Sequence, residues 1–146
     1  MIIDLVESKD LLLHEKIVKC SYKIDRKKIS ETLKENMIHH KGVGLSANQI
    51  GIWERAFVMM VNIETEETIT CFNPKIIKYS KDKVLMEEGC LSYPGIYLDI
   101  YRPHSIIVKY EDENKKLHKT KFEGLIARIF QHEYDHMEGI DFTERI

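Results

Sequence analysis

An α+β domain is the fold class this chain predicts, with antiparallel sheets around a C-terminal helix carrying H-E-x-x-H and an amphipathic helix nearer the N-terminus. Three observations predict it. Segments 25–40 and 125–137 place apolar residues at helical spacing. Four stretches between them combine β-branched and aromatic residues with short turn signals. Helices flanking a central run of strands form an α+β pattern, whereas alternating strands and helices would form an α/β one.

The elements follow in chain order. DRKKISETLKENMIHH at 25–40 sets Ile29, Leu33, Met37 and His40 at near-helical intervals among charged residues. KGVGLSANQIG at 41–51 holds three glycines and reads as a loop whose backbone comes close to something. RAFVMMVNI, ETITCFNPKIIKYS, GIYLDIYRPHSIIVKY and KLHKTKFEG read as mostly antiparallel strands, with NIETEET at 62–68 as a hairpin tip. MEEGCLSYPG at 86–95 reads as polar and turn-rich. Beyond Gly124, LIARIFQHEYDHM puts Leu125, Ile129, His132 and His136 on one stripe, as in a buried helix.

Length and composition narrow the function classes. The 146 residues suit one domain, 1–146, able to bury roughly two thirds of its unfolded surface without a disulfide or metal staple. Lys plus Arg number 22 against 24 Asp plus Glu, a net charge of -2, so no basic field points to nucleic acid or to an anionic membrane. MIIDLVESKD lacks the basic-then-apolar order of a secretory signal, and no apolar run approaches the roughly 18 residues of a membrane span. Cys20, Cys71 and Cys90 are odd in number and widely spaced, which suits a reducing compartment. A cytoplasmic protein is expected.

QHEYDHMEG at 131–139 carries the chemistry. His132 and His136 are four apart on a helix, so both imidazoles project from one face and can reach one ion about 2 Å from each. Glu133 is rotated about 100° from His132, outside the ligand set yet able to touch a water beside the ion. Two histidines are not enough, and a third Cys, His, Asp or Glu is required. Cys90 is a candidate because Gly89, Pro94 and Gly95 bracket it, although an unpaired cysteine also reads as a small buried hydrophobe. Glu88 and Arg102 read either as an ion pair bracing that segment or as ordinary solvated charges. His39 and His40 suit the carbonyl end of a helix. His14, His104 and His118 have no partner spacing, and Trp53, Tyr97 and Tyr101 read as packing or strand-face residues.

Three segments in order, GVGLSANQIG at 42–51, EGCLS at 88–92 and QHEYDHMEG at 131–139, resemble the three motifs of the peptide deformylases. CFNPKI and LIARIFQHE between them also resemble that family, and the likeness spans about residues 20–142. It implies Cys90, His132 and His136 as ligands of one divalent ion per chain, Fe(II) first, with Zn(II) or Ni(II) as alternatives. It implies Glu133 as general base, with Gln49 and the Leu91 backbone N–H holding the oxyanion. The implied reaction is hydrolysis of the formyl group from N-formyl-methionyl peptides or nascent chains, releasing formate. The peptide would pair with Val43, Gly44 and Gly89, and its methionine would enter a pocket to which Val43, Leu125 and Ile129 contribute. The implied partner is the nascent chain, with no direct nucleic-acid contact and a monomeric enzyme.

The chain departs from the family pattern in two places. Ser46 and Asn48 stand where Ala and Pro are common, so the loop carrying Gln49 loses a φ restriction and is expected to be slacker. Few residues follow His136, which suggests the short form carried by some bacteriophages, without a C-terminal ribosome-contacting helix and acting in the host cytoplasm. An amidase or metallopeptidase with the same ligands, or a non-enzymatic metal-binding or nascent-chain-binding protein, remain the competing readings.

Overall fold

The computed structural model describes residues Met1–Ile146. Its strands are β1 (Gly44–Ser46), β2 (Ala56–Asn62), β3 (Glu67–Tyr79), β4 (Lys83–Cys90), β5 (Tyr93–Pro103), β6 (Ser105–Glu111) and β7 (Leu117–Glu123), with helices α1 (Arg26–His39) and α2 (Gly124–Met137). All strand pairs are antiparallel. They form a five-stranded sheet in the order β1-β2-β3-β6-β7 and a separate β4–β5 hairpin inserted between β3 and β6. No helix is long and apolar enough to cross a membrane.

The large sheet is covered on both faces, which explains why β2 reads AFVMM without a polar alternate. Phe57 and Met59 point to one face and meet Ala127, Ile129, Phe130 and Met137 of α2. Ala56, Val58 and Met60 point to the other and meet Leu33 and Met37 of α1. Phe57 and Phe130 pack edge to face with ring centroids 5.1 Å apart. α1 begins at Asp25, whose carboxylate accepts from the Lys28 N–H. Its buried residues are Leu33, Asn36 and Met37, so Ile29 and His40 lie at the margin of the stripe.

Three readings of the sequence need correction. GIYLDIYRPHSIIVKY is two strands, since the chain leaves the hairpin at Pro103 and enters the large sheet at Ser105. Nothing in its apolar content marks the change of sheet. Residues 83–90, read in part as turn, form β4. The reading failed because one hairpin face is left to solvent: Leu85, Glu87 and Gly89 lie opposite Tyr101, Asp99 and Tyr97, and the two tyrosines are 63% and 66% exposed. The other face carries Met86, Glu88, Ile100 and Arg102 against α2, and its charges conceal the period-two pattern. Trp53 is also half exposed rather than packed.

α2 is therefore sandwiched between the large sheet and the hairpin. It leaves β7 through Gly124, whose φ of +61° turns the strand into the helix while its N–H donates to the His104 carbonyl. Arg128, His132 and Asp135 of α2 bond to Glu88 and Arg102 of the hairpin.

Candidate active site

His132 and His136 sit one turn apart on α2, ring centroids 5.2 Å apart and nearly perpendicular. Cys90 ends β4, where the register shifts between Gly89 and Cys90, an irregularity that re-aims the side chain toward α2. Cys90 Sγ lies 3.5 Å from His136 Nε2, and the donor atoms of Cys90, His132 and His136 all fall within 4.8 Å of one another. A sulfur about 2.3 Å and a nitrogen about 2.0 Å from one tetrahedral ion are themselves about 3.5 Å apart, so the Cys90–His136 spacing fits a shared cation.

The charges agree. His132 Nδ1 donates to Glu88 Oε1 at 3.0 Å, which fixes the tautomer and leaves Nε2 free for the cluster. Burial alone would hold His132 neutral, yet Cys90 and Glu88 draw a proton onto it and push its pKa up to about 10. The same pull favours a cation in the proton's place. Burial holds His136 well below its ordinary value. Its Nδ1 is buried without a partner.

Glu88 and Arg102 are neither solvated nor at the surface, being 6% and 3% exposed. Arg102 donates through Nε and Nη2 to the two Glu88 oxygens at 2.5 and 3.0 Å, and Arg128 Nη1 donates to Oε2 at 2.6 Å. Arg102 also reaches Asp135 at 2.8 Å, and Arg145 closes the network on Asp135 at 2.7 Å. Burial would raise the Glu88 pKa, but the hydrogen bonds from His132, Arg102 and Arg128 outweigh it and hold the carboxyl far below the usual range. Glu88 is thus the buried anion that joins the hairpin to the histidine.

A cleft of about 450 Å³ opens over these groups. Its walls include Gln49, Leu91, Glu133, His132 and Cys90, with Val43, Gly44, Gly89, Leu125 and Ile129 around them. His136 lies behind, 3% exposed. Val43 and Leu125 are half exposed at the rim, and Ile129 is buried at the base. Burial pushes the Glu133 carboxyl up to about 7, and its Oε1 has no partner. Gly44 makes room for it: a Cβ there would stand 2.7 Å from Glu133 Oε2. Gln49 Nε2 donates to Ser92 Oγ at 2.9 Å and lies 3.7 Å from Cys90 Sγ.

The loop of the first motif is buried and hydrogen-bonded. Residues 44–50 are all buried, forming β1 and a 3-10 turn, Ala47–Ile50. Side-chain hydrogen bonds made by Ser46 and Asn48 stand in for the missing proline.

Three residues at or beside the site are not singled out by the sequence, Arg128, Asp135 and Ser92, and Tyr97 reads there only as a packing or strand-face residue. Arg128 had a signal, as a cation between Leu125 and Ile129 on a buried helical stripe requires a buried anion. Asp135, Ser92 and Tyr97 had none, since their partners Arg102, Gln49 and Gly89 are 33, 43 and eight residues away. Tyr97 forms part of the cleft wall and lies so near Gly89 that a Cβ on the glycine would meet its ring at 2.8 Å. Of the other histidines, His14 and His40 bond backbone carbonyls and His118 pairs with Asp112, away from the cleft.

A cysteine sulfur and two imidazoles facing one point, with a carboxyl group and an amide beside them in a cleft, define a candidate metal centre of the hydrolytic class. The polypeptide deformylase family model matches residues 2–146, and this chain belongs to that family. Peptide deformylase 2 of Prochlorococcus marinus is 42% identical over 113 residues, 76% of this chain and 56% of its own length. A second relative from that organism is matched over 61% of its length, so the chain spans less than two thirds of these curated relatives. The crystal structure of the peptide deformylase from Thermotoga maritima superposes with a TM-score of 0.92 at 37% identity, covering 100% of this chain and 98% of that one. A class I type b peptide deformylase from Acinetobacter baumannii, solved with Met-Ala-Ser bound, gives 0.90 at 28%, covering 100% and 99%.

Proposed function

We propose that this chain is a metal-dependent deformylase that hydrolyses the formyl group from N-formyl-methionyl peptides and nascent chains, releasing formate. The convergence of Cys90, His132, Glu133 and Gln49 on one cleft, with His136 behind it within ligand distance of Cys90 and His132, in a chain of this family, is the observation that carries it. Cys90 Sγ and the two imidazoles would hold one divalent ion, with Fe(II) favoured by the family likeness and Zn(II) or Ni(II) also suited to a sulfur and two nitrogens. When bound, that ion supplies Lewis acidity to the carbonyl and to water in the cleft.

The protein groups do the rest. Glu133 takes a proton as water adds to the formyl carbon, a task suited to a carboxyl that burial has made more basic. The Gln49 amide and the Leu91 backbone N–H donate to the oxygen that gains charge. Glu133 then delivers the proton to the amine nitrogen as the C–N bond breaks, leaving formate and a free N-terminus. Glu88 keeps the His132 ring oriented throughout.

The extended peptide would lie along Val43, Gly44 and Gly89, where glycine lets a backbone approach, as in strand addition. Leu125, Ile129 and Val43 supply apolar surface for the methionine side chain. The Met-Ala-Ser seen in the Acinetobacter baumannii structure is the deformylated product that this reaction would yield. Protein loaded anaerobically with Fe(II), or with Ni(II), should release formate from formyl-Met-Ala-Ser, and Glu133→Ala should abolish release. Silence from the metal-loaded wild type, or full activity in Glu133→Ala, overturns the reading. Internal cleavage of unformylated peptides would redirect it to a peptidase.

A further inference from the structure

We propose that Ser46 and Asn48 are positioning residues that set which end of the Gln49 amide faces the reacting carbonyl; this rests on the role given to Gln49 above. An amide has an acceptor end and a donor end of almost the same shape. Only the donor end stabilises a developing oxyanion, and the reversed amide would oppose it. A glutamine side chain rotates freely unless something holds it.

Here the acceptor end is held. Gln49 Oε1 receives the Ser46 backbone N–H at 3.0 Å and lies 3.0 Å from the Ser46 hydroxyl. Nε2 is thereby directed to Ser92 Oγ and the Cys90 sulfur. The Ser46 hydroxyl is itself fixed by Asn48 Oδ1 at 2.7 Å, the two acceptors sharing its one proton. Asn48 spends both of its Nδ2 protons, one on the Leu12 carbonyl and one on the His136 carbonyl, each at 3.0 Å. Ser46 and Asn48 are fully buried and Gln49 is 2% exposed, so water cannot substitute for any of these bonds.

The relay runs from the backbone of His136, through Asn48 and the Ser46 hydroxyl, to the Gln49 amide. It registers the first motif's loop to helix α2. Proline would have stiffened the backbone but could not have oriented the side chain.

A double-mutant cycle on metal-loaded protein with formyl-Met-Ala-Ser tests it. Gln49→Ala should lower kcat by about a hundredfold, as loss of an oxyanion donor does. Ser46→Ala should lower kcat by about fivefold to tenfold with KM within about twofold and with wild-type metal content, the scale of one buried hydrogen bond. Added to Gln49→Ala, the Ser46→Ala change should have no further effect on kcat, since the group it positions is gone. The side-chain NH₂ resonances of Gln49 should shift in Ser46→Ala, a readout independent of turnover. Ser46→Cys, of similar size with a weaker donor, should give an intermediate kcat even if Ser46→Ala lowers the unfolding midpoint. Multiplicative losses in the double variant, or an unchanged kcat in Ser46→Ala, overturn the proposal while leaving Gln49's role intact. Full kcat in Gln49→Ala instead overturns that role and the proposal with it.

Discussion

Helix α2 has two unlike neighbours. Toward the five-stranded sheet it presents Ala127, Phe130 and Met137, all fully buried in apolar contact. Toward the β4–β5 hairpin it presents Arg128, His132 and Asp135, engaged by Glu88 and Arg102 through charged hydrogen bonds. Apolar burial is non-directional and determines where the helix lies. Charged hydrogen bonds are directional and determine how the His132 ring is turned. The stability of the helix and the geometry of the site therefore rest on opposite sides of the same element.

Breaking the apolar side should give the largest stability loss. Phe130→Ala removes a fully buried ring packed on Phe57 and should cost roughly 3–5 kcal/mol in denaturant titration. The fraction that stays folded should keep its metal affinity. A variant that retained full stability but lost metal would break the comparison.

Breaking the charged side should affect both properties. Glu88→Ala leaves Arg102 and Arg128 buried without their anion and should cost about 3 kcal/mol. It should also weaken metal binding by about 10–100-fold, because the His132 Nδ1 loses its acceptor. The sharper test replaces the three charges together, as in Glu88→Leu with Arg102→Met and Arg128→Leu. Stability should return to within about 2 kcal/mol of wild type, since an apolar cluster can replace a buried ionic one. Metal affinity, followed by competition with a chelator, should remain low. Recovery of both would show that the charges do not orient the ring.

Acid should act on the hairpin side first. The folded Glu88 carboxyl lies well below its ordinary 4.5, so its stabilisation is complete above that value and is lost as pH falls below it. Unfolding followed by circular dichroism should be less acid-sensitive in the triple apolar variant than in wild type, and identical acid midpoints would remove Glu88 from the account. The smallest effect belongs to an exposed pair outside both regions. Lys121 and Glu123 are each more than half exposed, and Lys121→Ala should change stability by less than about 0.5 kcal/mol.

Much was legible in the residues. Helical spacing outlined α1 and α2, and the β-branched runs outlined β2, β3, β6 and β7. The i, i+4 histidines with Glu133 between them are a local signal, complete within one turn. The glycines and proline around Cys90 made it a candidate, and the motif likeness then made it a ligand and added Gln49, pairings with a helix some 40 or more residues later that no local pattern could have settled. The hairpin was least legible, because its buried face is charged and its outer face aromatic, the reverse of the usual strand.

The sequence by itself determined which donors are present, that two of them share a helix face, and that strands fill the middle of the chain. These follow from periodicity, which is a property of neighbouring residues. Tertiary structure alone decided that Glu88 and Arg102 are buried rather than solvated, that Arg128 and Asp135 belong to the same network, and that the loop without proline is held through Ser46 and Asn48. Those outcomes depend on which distant groups lose their water together. Desolvation is a property of the packed whole, and no stretch of sequence carries it.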